Sequence, residues 1–162
     1  MILIAHASKN WGIGKGNDLM FRLPQDMKFF RETTSGGVVI MGRKTLESFP
    51  NKKPLPNRIN IVLTRDESYA PDGVYTAKNA EEAVKIAAQF DDRQVYVIGG
   101  ALIYELMLPY CDKALITKVM EDADADAFIR DFDADPDWVL AKEGEPIDDN
   151  GHEIRFCEYV RK

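Results

Sequence analysis

Asp26 is the residue whose position most clearly suggests chemistry. Pro24 marks the first turn of a helix, and at 3.6 residues per turn Asp26 falls on the same face as Phe29 and Phe30. A carboxylate on an apolar face is costly to bury unless it is hydrogen-bonded or takes part in a reaction, typically as a general acid or base. The alternative is an ordinary acidic residue in the first turn, where the helix dipole favours it.

Two glycine junctions, each after an apolar run, suggest a binding site for an anion. Gly42 follows residues 38–41, and Gly99-Gly100 follow residues 95–98. Each junction would direct the free N–H groups of a helix N-terminus to the carboxyl end of a parallel strand, where open α/β sheets bind ligands. Residues 43–45, Arg-Lys-Thr, add two cations and a hydroxyl that could bind phosphate. Glycine is also common in such turns for steric reasons alone.

Other segments carry weaker signals. Residues 12–16 are glycine-rich and predict a flexible loop beside a site. Thr64 and Arg65 end an apolar run and could bind a phosphate, or could be an ordinary surface pair.

Metal and nucleophile chemistry is poorly supported. The acidic stretch 122–126 resembles the start of a calcium loop, but Ala127 replaces the required glycine and Asp133 the required glutamate, so a solvated loop is expected over 121–137. His6 and His152 are too far apart to suggest metal-ligand spacing. His6, within an apolar run, is expected to be a satisfied core or backbone-facing residue.

The elements that must position these residues alternate along the chain. Short apolar or alternating runs predict strands at 2–8, 38–41, 59–64, 74–76, 95–98, 114–119, 138–142 and 153–160. Helices are predicted from Pro24 to near Gly36, from Arg43 to about Phe49, after an Asn79 N-cap with Glu82 three residues later, and from Ala101 to about Leu108. This alternation predicts an α/β fold with a largely parallel sheet and an antiparallel C-terminal end.

Composition is consistent with one domain over residues 1–162. Apolar residues make up 45% and charged residues 30% of the chain, as in ordinary globular proteins. The net charge is −6, but residues 1–65 carry 11 Lys/Arg and 4 Asp/Glu, a balance of +7. We therefore expect no binding to nucleic acid or membranes, although the basic portion could hold a small anionic ligand. The uneven charge could also be a chance distribution.

The N-terminal segment and the cysteines bear on the cellular location of the protein. Residues 1–7 predict a buried strand rather than a leader, because no basic region precedes a short apolar run. Cys111 and Cys157 predict two free thiols in a cytoplasmic protein, with a single disulfide left open. A monomer is the default expectation for a chain of this size.

In chain order, these features resemble one family, the dihydrofolate reductases. The segments that carry the resemblance are Ile4-Ala5, Gly12-Ile13-Gly14, Leu23-Pro24-x-Asp26 with Phe30, residues 39–48, residues 54–58, Val97-Ile98-Gly99-Gly100 with Ile103-Tyr104, and Leu115-Ile116-Thr117. They cover essentially the whole chain, and the M-G-R-x-T and V-I-G-G segments at this separation are highly specific.

The resemblance implies a fold, an activity and a cofactor. The fold is a single α/β domain with an eight-stranded, mostly parallel sheet, a C-terminal antiparallel strand and four flanking helices. The activity is NADPH-dependent reduction of 7,8-dihydrofolate to 5,6,7,8-tetrahydrofolate, which supports one-carbon metabolism, and antifolates become plausible inhibitors. Hydride transfer needs two rings held together in a dry pocket rather than a nucleophile.

The resemblance also implies roles for matching residues. Asp26 would hold the amino group and ring nitrogen of the pterin and promote protonation of N5 through water, with Thr117 supporting that network. Arg58 would pair with the glutamate α-carboxylate, and Thr64 and Arg65 would bind the 2′-phosphate. Residues 14–19 match a mobile loop that closes over nicotinamide, and the Gly99–Gly100 peptide would be cis.

The implied substrate-binding residues are Ile4, Ala5, Asp26, Met27, Phe30, Phe49, Leu55, Arg58, Ile98, Tyr104 and Thr117. The implied cofactor-binding residues are His6, Ile13, Gly14, Asn17, Asp18, Leu19, Gly42, Arg43, Lys44, Thr45, Leu63, Thr64, Arg65, Lys78, Gly99, Gly100, Ala101, Leu102, Ile103 and Tyr104.

Two departures from the family pattern affect details. Phe21 stands where the family normally has Trp, and phenylalanine has no donor with which to hold an active-site water. Residues 125–129 match the corresponding family segment poorly, and this puts in question a loop–loop contact that the family assigns to it. The alternatives are a pterin or pyrimidine reductase with the same fold, against which Arg58 argues, and a nucleotide-binding module without activity.

Overall fold

The computed structural model describes all 162 residues and contains twelve strands and four α-helices. The strands are β1 (Ile2–Ala7), β2 (Gly12–Lys15), β3 (Asp18–Leu19), β4 (Val38–Gly42), β5 (Ile59–Leu63), β6 (Val74–Ala77), β7 (Val95–Gly99), β8 (Lys113–Val119), β9 (Ala127–Phe128), β10 (Trp138–Glu143), β11 (Ile147–Asp149) and β12 (His152–Arg161). The helices are α1 (Pro24–Thr34), α2 (Arg43–Glu47), α3 (Ala80–Ala88) and α4 (Ala101–Met107), and short 3₁₀ turns cover Pro50–Lys52 and Leu108–Tyr110.

The main sheet has the strand order β10-β12-β8-β1-β7-β4-β5-β6, with β11 paired to β12 as a ninth strand. The run from β8 to β6 is parallel throughout, whereas β12 is antiparallel to β8 and to β10. The fold class expected from the sequence is therefore confirmed. Apolar, β-branched strands such as β4 and β5 lie inside the sheet and not at its edge, because helices cover both of their faces.

The alternation of side chains along the strands separates two apolar cores. Leu3 and Ile40 belong to a cluster of 23 buried residues that includes side chains of α3 and α4. Ile4 and Met41 belong to a smaller cluster on the opposite face, with Leu46 of α2 and half-buried aromatic residues of α1 packed against it. Asp26 of α1 therefore faces the second side of the sheet.

The glycine-rich segment 12–16 is not the flexible loop expected from the sequence. Most of it forms β2, the middle strand of a second sheet with the order β3-β2-β9. A Cβ on Gly14 would lie 2.9 Å from the carbonyl oxygen of Asp18, and one on Gly12 would lie 2.5 Å from the Cβ of Ala125. Glycine is thus required by close packing rather than by flexibility. The segment expected as a loop over 121–137 also contains β9.

The third helix begins at a local side-chain cap. Asn79 Oδ1 accepts a hydrogen bond from the backbone N–H of Glu82 at 2.8 Å, so the predicted N-cap of α3 is confirmed. The first, second and fourth helices each end one or two residues before the predicted ends, at Thr34, Glu47 and Met107. None of the helices has the length and hydropathy needed to cross a membrane.

Cys111 and Cys157 are both buried free thiols, which resolves the open question of a disulfide. Burial raises the pKa of each thiol to about 11. Both cysteines therefore belong to the core and not to the chemistry of the protein.

Candidate active site

The carboxylate of Asp26 is buried at the start of α1, where only 8% of the residue is exposed. The prediction that Asp26 lies on a buried face of the helix is therefore confirmed. Thr117 Oγ1 of β8 donates a hydrogen bond of 2.6 Å to Oδ1, and His6 Nδ1 of β1 lies 3.1 Å from Oδ2. When the carboxylate is ionised it can only accept, and the donor of this contact is then the N–H of Nδ1. Each oxygen of Asp26 thus keeps lone-pair capacity for one more donor.

A residue from the far end of the chain holds the first turn of α1. Leu23, at the N-cap, has no side chain that can cap the helix. Asp149 of β11, which is 1% exposed, accepts hydrogen bonds from the backbone N–H groups of Gln25 at 3.2 Å and Asp26 at 3.0 Å. Asp149 therefore supplies the missing cap and positions the backbone of Asp26. Sequence reasoning missed it, because nothing local links residue 149 to residue 26.

The apolar wall around Asp26 contains most of the residues that the resemblance implied. Ile4 is buried in the second core, and the half-buried members Phe30, Phe49, Leu55 and Ile98 pack against the same cluster. Met27 differs, since 55% of it is exposed. The side chain of Ala5 packs against the cluster on the opposite face of the sheet, so it is not part of this wall.

The resemblance implied that His6 contacts the cofactor, and its place in an apolar run predicted a satisfied core or backbone-facing residue. The structure places its side chain on Asp26 and leaves its Nε2 buried without a hydrogen-bond partner, so it is not a fully satisfied core residue, while the cofactor contact stays a prediction. The physical reason is the pleat of β1, which directs Ile4 and His6 to the α1 side of the sheet.

Tyr104 of α4 supports the strand rather than lining the wall. Its hydroxyl group donates to the backbone oxygen of Ile4 at 2.8 Å. Burial, reinforced by the charge of Asp26, raises the pKa of Tyr104 well above its usual range, so the hydroxyl stays neutral.

The two glycine junctions lie side by side. Met41 pairs with Gly99, Gly42 with Leu63 and Leu63 with Ala77, so the carboxyl ends of β7, β4, β5 and β6 form one continuous edge. The residues that follow these ends are Gly100, Arg43, Thr64 and Lys78. Parallel pairing thus brings together groups that the sequence predicted separately.

Close packing explains the glycines at this edge. Gly99 has φ +116°, and a Cβ there would lie 3.2 Å from the ring of Tyr104. A Cβ on Gly42 would lie 3.0 Å from Ile103. The Gly99–Gly100 peptide is cis, as the resemblance implied. At the start of α4, Ala101 is half-buried and Leu102 is exposed, while Ile103 is buried beneath Gly42.

The basic side chains at this edge differ in their surroundings. Arg43 lies 3.2 Å from Asp66 and 3.5 Å from Glu47, and its guanidinium stacks over the ring of Tyr69. Lys44 and Arg65 are exposed, and Thr45 is half-buried. Thr64 and Lys78 line a surface cavity of about 160 Å³. Leu63 is buried in the core beneath it.

Arg58 lies at the other end of the apolar wall. It is half-buried, and its guanidinium donates to the backbone oxygen of Pro56 at 3.0 Å and to Thr34 Oγ1 at 3.3 Å. Burial and the nearby charge of Arg31 lower the pKa of Arg58. Two positive charges near each other form a place where a bound carboxylate would be stabilised.

Asn60 is a second residue that sequence reasoning missed. It is 2% exposed, and its amide donates to the backbone oxygen of Leu55 and accepts from the backbone N–H of Leu55, both at 3.0 Å. It therefore holds the loop that carries Leu55 and Arg58. The available signal was a lone polar residue inside the apolar strand β5.

The segment 14–19 and the acidic segment after β8 contact each other. Ile13 and Gly14 lie in β2, Asn17 forms the turn with φ +67°, and Asp18 and Leu19 form the exposed β3. Asp126 accepts a hydrogen bond from the N–H of Gly16 at 2.9 Å, and Lys15 pairs with Asp124. The loop–loop contact that residues 125–129 put in question is therefore present.

A family model described as dihydrofolate reductase matches residues 1–161. The chain belongs to the dihydrofolate reductase family. The dihydrofolate reductase of Neisseria meningitidis serogroup A is 38% identical over 160 residues, covering 98% of this chain and 96% of the relative. That of Bacillus subtilis is 35% identical over 152 residues, covering 93% and 88%.

A solved structure agrees with this family. Dihydrofolate reductase from Enterococcus faecalis, complexed with NADP(H) and RAB-propyl, superposes with a TM-score of 0.87 at 30% identity. The match covers 99% of this chain and 95% of that one. The family and the oxidoreductase activity expected from the sequence are confirmed.

Proposed function

We propose that this chain reduces 7,8-dihydrofolate to 5,6,7,8-tetrahydrofolate with NADPH, and that Asp26 is its catalytic carboxylate. Membership of the dihydrofolate reductase family supports the reaction. The observation that carries the residue assignment is a buried carboxylate with one protein donor on each oxygen.

Asp26 is suited to the amino-pyrimidine edge of a pterin. Such an edge presents two parallel N–H donors, and each oxygen of Asp26 retains capacity for one of them. The ring would lie against the wall formed by Ile4, Phe30 and Ile98, which excludes water. Through an intervening water, the carboxylate then promotes protonation of N5.

Arg58 is suited to the opposite end of the substrate. The facing guanidinium of Arg31 makes this place favourable for the glutamate α-carboxylate of dihydrofolate. A pterin or pyrimidine reductase that acts on substrates without such a tail has no use for this pair, so the structure favours dihydrofolate over those alternatives.

The edge formed by β7, β4, β5 and β6 fits a dinucleotide. Gly42 and Gly99 leave room for close backbone approach, and Lys44, Thr45, Thr64 and Arg65 offer groups for phosphates. When bound, NADPH supplies the hydride. Asp66, Glu67 and Glu82 also line the cavity beside Thr64, so Arg65 and Lys78 must offset their charge at the 2′-phosphate.

Three finer properties belong to the same proposal. Antifolates would bind at Asp26, since they would need the same carboxylate and wall. A monomer is supported by the size of the chain, and a cytoplasmic location by its two free thiols.

The decisive assay follows NADPH absorbance with purified protein and dihydrofolate. We expect Asp26→Asn to lower kcat at neutral pH by at least about a hundred-fold while leaving the Kd for NADPH within about two-fold of the parent. Asp91→Asn, an exposed carboxylate beyond α3, serves as the matched control. No decay with the parent enzyme would refute the reaction, and an unchanged pH–rate profile in Asp26→Asn would refute the role of the carboxylate.

A further inference from the structure

His6 is built into the site beside the carboxylate of Asp26. It pairs in register with Thr117 on the neighbouring strand β8, so the two side chains leave the sheet together on the α1 face. Only 8% of the His6 side chain is exposed, against 11% for Asp26. An imidazole and a carboxylate are thus buried together.

The hydrogen bond between them is specific to one ring nitrogen. Nδ1 of His6 lies 3.1 Å from Oδ2, while Thr117 occupies Oδ1. The two donors therefore bracket the carboxylate and set the orientation of its plane. A ring that donates from Nδ1 and is neutral leaves Nε2 as an acceptor.

Nε2 has no hydrogen-bond partner although it is buried. The nearest aromatic ring is that of Phe21, with centroids 6.3 Å apart, and this ring has no donor or acceptor of its own. A buried polar atom without a hydrogen-bond partner lowers the stability of the fold. An apolar side chain would avoid that cost, and the hydrogen bond that His6 makes in the site is the one to Asp26.

The other ionisable groups around the pair do not replace His6. Tyr104 of α4 donates to the backbone of Ile4 and stays neutral. Asp149 of β11 contacts the backbone of Asp26, and its charge is negative. His152 of β12 is paired with Glu121, on the far side of Phe21. His6 is the one side chain within hydrogen-bond distance of the carboxylate that can become a cation.

We propose that His6 is a positioning residue for hydride transfer, which orients the Asp26 carboxylate toward the pterin and ties its negative charge to the protonation of an imidazole. This proposal rests on the proposed role of Asp26. An imidazolium favours the ionised carboxylate beside it, whereas a neutral ring only orients it. The pH dependence of substrate binding and turnover should therefore report on the two groups together.

The kinetic test compares two substitutions from pH 5 to 9. His6→Asn keeps an N–H donor near the position of Nδ1 but has no titrating ring, and His6→Ala removes both. We expect His6→Asn to keep kcat at pH 8 within about three-fold while its pH profile becomes simpler, and His6→Ala to lose about ten-fold in kcat, as when a charged hydrogen bond is deleted. His152→Asn makes the same change at the only other histidine and should leave the profile unchanged.

Nitrogen NMR of the unmodified protein gives a readout that does not depend on turnover. The chain has two histidines, so His152→Asn assigns the ring signals. We expect the neutral ring of His6 to carry its hydrogen on Nδ1, and His6→Asn to remove that signal. Hydrogen on Nε2, or parental kcat, KM and pH profile in both His6 variants, would overturn the proposal. Failure of the parent enzyme to reduce dihydrofolate would refute the proposed function instead, with the NMR result still deciding the hydrogen bond.

Discussion

At the scale of single residues, the site depends on charged groups that can still accept a hydrogen bond or an opposite charge from a ligand. Asp26 has one protein donor on each oxygen, and Arg58 faces the like charge of Arg31. Asn60, which reaches no ligand, holds the loop that carries Arg58. In the proposed function, groups of opposite sign at the two ends of one apolar wall would recognise the two ends of the substrate.

Substitution of Arg58 tests recognition of the substrate tail. We expect Arg58→Ala to raise the KM for dihydrofolate by roughly ten- to a hundred-fold with a smaller effect on kcat, because a charged hydrogen bond contributes about 1.5–3 kcal/mol. A dihydropterin without the glutamate tail is the matched control, and its KM should not change. An equal rise in KM for both substrates would show that Arg58 only stabilises the loop.

At the scale of elements, the site depends on a contact between the first helix and the last hairpin. Asp149 of β11 caps α1, which its own residues leave uncapped. The N–H groups that it accepts from belong to Gln25 and Asp26, so the cap also positions the backbone of the proposed catalytic residue. The C-terminal hairpin is thereby part of the active site without touching a ligand.

Removal of this cap should affect stability and activity together. We expect Asp149→Ala to lower the free energy of unfolding by about 1–2 kcal/mol, the usual contribution of a cap, and to lower kcat as α1 shifts. Chemical denaturation and steady-state kinetics measure the two effects. Asp148→Ala changes the exposed neighbour on the same strand and should do neither. Equal behaviour of the two variants would contradict the capping role.

At the scale of the whole molecule, the net charge of −6 conceals an uneven distribution. Residues 1–65 carry a balance of +7 and contribute Arg43, Lys44, Thr64 and Arg65 to the cofactor edge. The acidic remainder contributes Gly99 and Gly100. A local positive field can attract an anion to a molecule of negative overall charge, because distant charges are screened at physiological salt.

The salt dependence of NADPH association tests whether the local positive charge or the global negative charge dominates binding. We expect the association rate of NADPH to fall roughly ten-fold between 0.02 and 0.5 M salt, since screening removes the local attraction. Stopped-flow fluorescence of the tryptophans would measure it. NADH lacks the 2′-phosphate, so its rate should fall less. A rate that rises with salt would show that the global negative charge dominates instead.

Much of the fold and of the site was predictable from local patterns. Eight of the twelve strands and all four helices were predicted within a few residues, and Asp26 was correctly placed on a buried face. The prediction of a flexible loop at β2 was wrong, because glycines that permit close packing look the same in sequence as glycines that permit flexibility. The contact between His6 and Asp26 was not predicted, because a run of apolar residues does not reveal which face each side chain occupies.

The sequence by itself determined the order of strands and helices, the burial of Asp26 and the glycine junctions, since these follow from periodicity and from residues that are neighbours in the chain. Tertiary structure alone decided which groups surround the carboxylate. Thr117 is 91 residues from Asp26, and Asp149 is 123 residues away. Their meeting depends on strand order and register, which arise when the whole chain packs and which no local pattern encodes.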